Sequence, residues 1–196
     1  MLSLILGIAA FVLFFIYDVN SVTWKNAVIH RFFAVGAVLL ALSSVTDIWY
    51  CAKAGAFEGF VDVLLIILGA VAFAALIYSL FFALPFDETY VKSSEERRVY
   101  DRGVYALCRH PGILCYFVMQ LFLGLAALPE RMIINGMILS VLNLHYAWFQ
   151  DRITFPKTFT DYAEYRNNVP FLLPTLQSIR AAKKTFGKAQ SREEVQ

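Results

Sequence analysis

Charge is what this sequence has least of. Asp, Glu, Lys and Arg make up 16% of its 196 residues, against about 25% in soluble domains. The net charge is only +2, and no long basic run or aromatic-basic stripe is present, which argues against a nucleic-acid partner. Three cysteines (Cys51, Cys108, Cys115) form no CxxC pair and no even-numbered framework, so they read as buried apolar fillers. The three histidines are dispersed and no paired carboxylates accompany them, so no metal site is expected. No basic residue precedes the apolar N-terminal run, and Asp18-Val19-Asn20 after it is not a small-residue cleavage pattern. That run reads as a retained first span and not as a cleaved signal peptide. No internal repeat is found.

What fills the space is apolar: 59% of the residues are hydrophobic, against roughly 45–50% in soluble proteins. The mean hydropathy is +0.61. A water-soluble domain of this composition could not cover itself with polar groups. Five apolar stretches stand out: Leu2–Tyr17, Phe32–Tyr50, Phe60–Pro85, Ile113–Leu128 and Met132–Phe149. Crossing the hydrocarbon core takes roughly 20 helical residues, so the first and fourth stretches are short and need flanking residues or a thin bilayer. The third is long, and Pro85 is expected to end it. The predicted fold is all-α, an integral membrane bundle of about five transmembrane helices with a short cytoplasmic C-terminal helix. Three regions are expected: 1–85, a three-helix membrane region; 86–174, a linker, helical hairpin and C-terminal helix; and 175–196, a charged tail, frayed or surface-lying from Arg180.

Basic residues alternate along the connections. Lys25 and Arg31 lie between the first two stretches, Lys53 alone in the second connection, and Lys92, Arg97, Arg98, Arg102 and Arg109 in the third. Arg131 is the one basic residue of the fourth, and the segment after Phe149 is again basic. Positive-inside logic then predicts a multi-pass protein with its N-terminus outside and its third connection and C-terminus in the cytoplasm. The fourth and fifth stretches are joined by a few residues, so they should form a tight antiparallel hairpin. That hairpin would bring Arg109 and His110 near Gln150 and Asp151.

Two polar segments carry the chemistry. In Tyr100–Gly112, Gly103 offers a turn and Pro111-Gly112 opens the fourth stretch, where proline suits a helix's first turn. A helix start favours a carboxylate or other anion, Arg109 supplies a bidentate donor, and His110 a group that titrates near neutrality. Read alone, Arg109 and His110 also fit side chains snorkelling at the interface. In the tail, Tyr162, Tyr165 and Arg166 fall at i, i+3 and i+4, one face of a short helix stopped by Pro170. That face would cap a ligand pocket or lie at the interface as an amphipathic helix. Asp47 and Asp62 near stretch ends read as structural. His145, with Asn143, reads as an interhelical polar contact, and His30 as interfacial.

The run Gly103-Val-Tyr105-Ala-Leu-Cys-Arg109-His110-Pro111 resembles the G-x-Y-x-x-x-R-H-P signature of the isoprenylcysteine carboxyl methyltransferase and phospholipid methyltransferase superfamily. The apolar stretch after it, the hairpin, and Tyr162-x-x-Tyr165-x-x-x-Val169-Pro170 then Pro174 are similar to that family's ending. The resemblance spans roughly Tyr90 to Pro174 and implies an S-adenosylmethionine-dependent membrane methyltransferase acting on a lipophilic or amphipathic acceptor. It implies that Arg98, Val99 and Tyr100 line the cofactor through their backbone, that Tyr105, Arg109, His110, Pro111 and Gly112 form its core motif, and that Gln150, Tyr162 and Tyr165 join them. Asp151, Arg152 and Arg166 would position the acceptor. The family's usual Glu-Glu pair is replaced here by Gln150-Asp151, and Pro156 is expected to interrupt the helix leading to the tail tyrosines. Two alternatives accompany this reading: an NADPH-dependent sterol- or steroid-type reductase, whose ending has a related pattern, and an inactive protein of the same fold.

Overall fold

In the computed structural model, residues 1–83, 97–128 and 131–186 are described, and among them every regular element is helical. Chain order gives α1 (Leu2–Val22), α2 (Ala27–His30), α3 (Phe32–Lys53) and α4 (Phe60–Ile77), the last prolonged by a π-helical turn over Tyr78–Phe82. Then come α5 (Val104–Leu107), α6 (Pro111–Ala126) and α7 (Met132–Phe149), which runs through a π-helical turn at Gln150–Thr154 into α8 (Phe155–Thr158). Two helices close the described chain, α9 (Tyr162–Asn168) and α10 (Leu176–Thr185).

Four of these segments are long and apolar enough to cross a membrane: Leu2–Val22, Ala27–Lys53, Phe60–Phe82 and Met132–Thr158. The chain thus has the architecture of a multi-pass membrane protein. The first span is longer than its apolar run, because helix continues through Asp18 and Asn20 to Val22. The expected fourth crossing is α6, which has only 16 residues. At about 1.5 Å per residue it is roughly 24 Å long, short of a hydrocarbon core of about 30 Å. The expected stop at Pro85 lies outside the described residues, as do Pro129 and Glu130 of the hairpin turn.

Pro156 does not interrupt the last long helix. Helix runs on through it to Thr158, with a π-helical turn at Gln150–Thr154 directly before α8. From Arg180, where a frayed or surface-lying end was expected, the chain stays helical to Thr185. A reciprocal capping box opens α10, the Thr175 hydroxyl accepting from the Ser178 N–H at 3.2 Å and the Ser178 hydroxyl from the Thr175 N–H at 2.9 Å. Residues 187–196 lie outside the described part.

Two compact units result. One comprises Met1–Phe73 and Tyr116–Thr154, the other Ala74–Cys115 and Phe155–Gln196. In the first, α1 packs along α3 and α7, and small residues let the helices approach. A Cβ on Gly7 would overlap Leu139, and one on Gly36 would stand 2.7 Å from the Phe14 ring. Phe14 stacks on Tyr146 with centroids 5.6 Å apart, and Phe15 meets Phe149 edge-on at 5.1 Å. Polar groups are paired across helices. The Ser43 hydroxyl donates to the Ser3 carbonyl at 2.7 Å, and the Asn135 amide donates to the Asp47 carboxylate at 3.0 Å. The bend from α1 to α2 is held by Asn20, whose side chain bonds both the N–H and the carbonyl of Asn26. Large apolar side chains on the outer faces remain uncovered, among them Val45, Val71 and Phe60. Lipid, unlike water, leaves such faces without penalty.

His145 does not make the expected interhelical contact: it is exposed, and its Nδ1 lies 3.0 Å from the Val141 carbonyl of its own helix. Cys51 and Cys108 are buried and Cys115 is half-buried.

Candidate functional site

The second unit assembles the two polar segments that lie far apart in the chain. Its linker segment runs beside the start of α9. The Thr160 N–H donates to the Arg97 carbonyl at 3.1 Å, and the Val99 N–H to the Asp161 carboxylate at 2.8 Å. Asp161 sits at the N-cap of α9, yet its side chain makes no capping bond and reaches the linker instead. Arg98 between them is exposed. Tyr100 meets Tyr105 edge-on with centroids 6.3 Å apart.

Gly103 turns the chain into α5 at φ 56 and ψ −126. A Cβ there would meet nothing within 4 Å, so backbone conformation alone demands glycine. Its N–H donates to the Thr185 hydroxyl of α10 at 3.1 Å. A chain of phenols follows: the Tyr165 hydroxyl donates to the Tyr105 carbonyl at 2.7 Å, and the Tyr105 hydroxyl to the Ser79 carbonyl at 2.9 Å. Ser79 lies in the π-helical turn after α4, and that turn also receives the start of α6. A Cβ on Gly112 would lie 3.3 Å from Leu80 and 3.4 Å from Ser79 Oγ, so a small residue is needed for this approach.

Arg109 is a clamp. Its Nη1 donates to the Val169 carbonyl at 2.6 Å and to the Arg166 carbonyl at 2.9 Å, the acceptors at the C-terminal end of α9. Its backbone N–H donates to the Pro170 carbonyl at 2.9 Å, and its guanidinium lies 5.6 Å from the Phe171 ring centroid. A cation at a helix C-terminus satisfies open carbonyls and the negative end of the dipole at once. The expected bidentate donor to a bound anion therefore has Nη1 committed to the protein's own backbone. His110 is buried next to it, stacked on Phe155 at 5.8 Å and 11° and edge-on to Phe171 at 5.0 Å. Phe155 in turn meets Tyr162 at 5.6 Å. Pro111 is buried at the head of α6.

Tyr162 and Tyr165 are buried while Arg166 is exposed. Burial, then the neighbouring phenols Tyr162 and Tyr105 and the Cys108 thiol, push the Tyr165 hydroxyl well above the usual phenol range, with Arg109 acting the other way. Burial likewise pushes the Cys108 thiol up to about 11. Both groups are held neutral at physiological pH. Outside this aromatic cluster a shallow groove of about 200 Å³ runs along Pro156, Phe159, Thr160, Tyr162, Ala163 and Arg166. Small-molecule pockets are usually about 300–1,000 Å³, so the groove is smaller than a usual small-molecule site.

Gln150, Asp151 and Arg152 belong to the first unit, in the π-helical turn after α7; Asp151 is buried and Arg152 exposed. The second unit thus gathers Val99, Tyr100, Tyr105, Arg109, His110, Pro111, Gly112, Tyr162 and Tyr165 into one compact body, with Arg98 and Arg166 on its surface. Phe155, Phe171, Ser79 and Asp161 were not among the expected site residues. Phe171 directly after Pro170, and an Asp just ahead of a helix, were the available signals; the Ser79 carbonyl left none. No family model, curated protein or solved structure matches this chain.

Proposed function

We propose that this chain is a membrane methyltransferase that takes its methyl group from S-adenosylmethionine and passes it to a lipophilic or amphipathic acceptor. The observation that supports it is the joining of residues 97–112 to residues 155–171 through Val99–Asp161, Tyr105–Tyr165 and Arg109–Val169. Those are the two segments that the signature and the tail tyrosines would require in one cofactor site. The donor set suits the group: the aromatic cluster of His110, stacked on Phe155 and edge-on to Phe171, would offer ring contacts to an adenine and to a sulfonium. The head of α6 at Pro111 offers the positive end of a helix to a carboxylate. The cofactor, when bound, supplies an electrophilic methyl on a positively charged sulfur.

The chain's own contribution is orientation and exclusion of water. Arg109 pins α9 against the Arg-His-Pro turn, so Tyr162, Tyr165 and His110 are held in one arrangement before any ligand arrives. Arg166, exposed beside the groove, would meet an anionic acceptor. In this reading the site and the C-terminus face the cytoplasm and the N-terminus lies outside, as the alternation of basic residues suggests.

Purified protein in nanodiscs should be stabilised against heat by S-adenosylmethionine and by its demethylated product, and not by NADPH. His110→Ala should abolish that shift. His110→Phe, which keeps the stack on Phe155, tests the ring nitrogens without opening the cluster. Stabilisation by NADPH alone, or by neither compound, refutes the proposal.

A further inference from the structure

One face of α10 has no role in the site described above. The helix packs on α5 through buried Ser178 and Ala182, tied by the Gly103–Thr185 bond. The opposite face carries Leu176, Arg180 and Lys184 at i, i+4 and i+8, with Lys183 beside them, all exposed. Leu176 and the nearby Leu173 are 77% and 71% exposed. From Tyr165 to Arg192 the sequence contains no acidic residue, while Arg166, Arg180, Lys183, Lys184, Lys188 and Arg192 are all basic. No ion pair within α10 offsets its charge.

We infer that the outer face of α10 docks on the anionic lipid of the leaflet next to it, with Leu173 and Leu176 entering the headgroup region and Arg180, Lys183 and Lys184 meeting lipid phosphates and carboxylates. Three observations select a bilayer over an acidic protein. Basic residues and the exposed Leu176 lie on the same outward side of α10, so charge attraction and apolar insertion would act together. The helix follows the last apolar span after only α8, α9 and their loops, so a leaflet is present at high effective concentration. The capping box holds the helix formed without a partner, so docking needs little further ordering. Each Lys or Arg near an anionic surface multiplies the partition about fivefold, so the three together give on the order of a hundredfold.

The test uses the full chain in nanodiscs of phosphatidylcholine alone and with about 30% phosphatidylserine. Hydrogen exchange over residues 176–186 should slow at least about tenfold in the anionic discs, and the slowing should fade in high salt. The combined Arg180→Gln, Lys183→Gln, Lys184→Gln variant should lose it while the Gly103 amide stays protected, which shows that α10 still packs on α5. A Leu176→Trp reporter should be quenched by brominated phosphatidylserine. Equal exchange in both lipids overturns the inference, as does protection that appears only when two copies occupy one disc.

Discussion

Replacing Arg109 with methionine keeps most of the stem and removes the guanidinium, so it isolates the clamp. The side chain loses a 2.6 Å bond to the Val169 carbonyl and a 2.9 Å bond to the Arg166 carbonyl. Hydrogen bonds to charged groups contribute about 1.5–3 kcal/mol when buried, but the second bond is exposed and water replaces it cheaply. About 2 kcal/mol for the first, about 0.5 for the second and about 0.5 for the ring contact with Phe171 sum to about 3 kcal/mol. At 1.4 kcal/mol per decade, local opening of α9 should become about a hundredfold more frequent. The readout is native-state hydrogen exchange at Tyr165 and Val169, whose amides bond to Asp161 and Tyr165, with amides of α1 and α3 as internal control. The local unit should respond and the control should not. A change below about threefold at Val169, under 0.7 kcal/mol, would refute the claim that the guanidinium holds the helix end.

Three further outcomes follow from the same geometry. Tyr165→Phe removes a buried donor and leaves the Tyr105 carbonyl wanting, so it should lower stability by about 1–2 kcal/mol in thermal unfolding; no loss would show that water fills the gap. Gly124→Ala places a Cβ 2.8 Å from the Ile133 backbone, so the α6–α7 hairpin must spread, at about 1–3 kcal/mol, read as a lower denaturation midpoint in mixed detergent. Burial holds the Cys108 thiol protonated to about 11, whereas a thiol in the unfolded chain ionises near 9.0. The unfolded state therefore sheds its proton first, so this group's contribution to stability is complete below about pH 9 and falls as pH rises toward 11. Cys108→Ala should flatten that part of the stability–pH curve, and an unchanged slope would remove the thiol as its cause.

The sequence by itself determined four helices long and apolar enough to cross a membrane, because hydropathy over some twenty residues is a local sum; the expected fifth, α6, is short by its length alone. The sequence also determined α9, since Tyr162, Tyr165 and Pro170 mark a face and a stop within one short segment. Tertiary structure decided the rest. It tied Arg109 Nη1 to the carbonyls of Arg166 and Val169, groups that every residue carries and no motif displays. It carried helix on through Pro156 after a π-helical turn at Gln150–Thr154, a backbone geometry that residue types do not announce. It sent Asp161 to the linker amide of Val99 and not to its own helix start. In each case the deciding contact joins atoms some 60 residues apart or depends on backbone geometry, and local pattern holds no information about either.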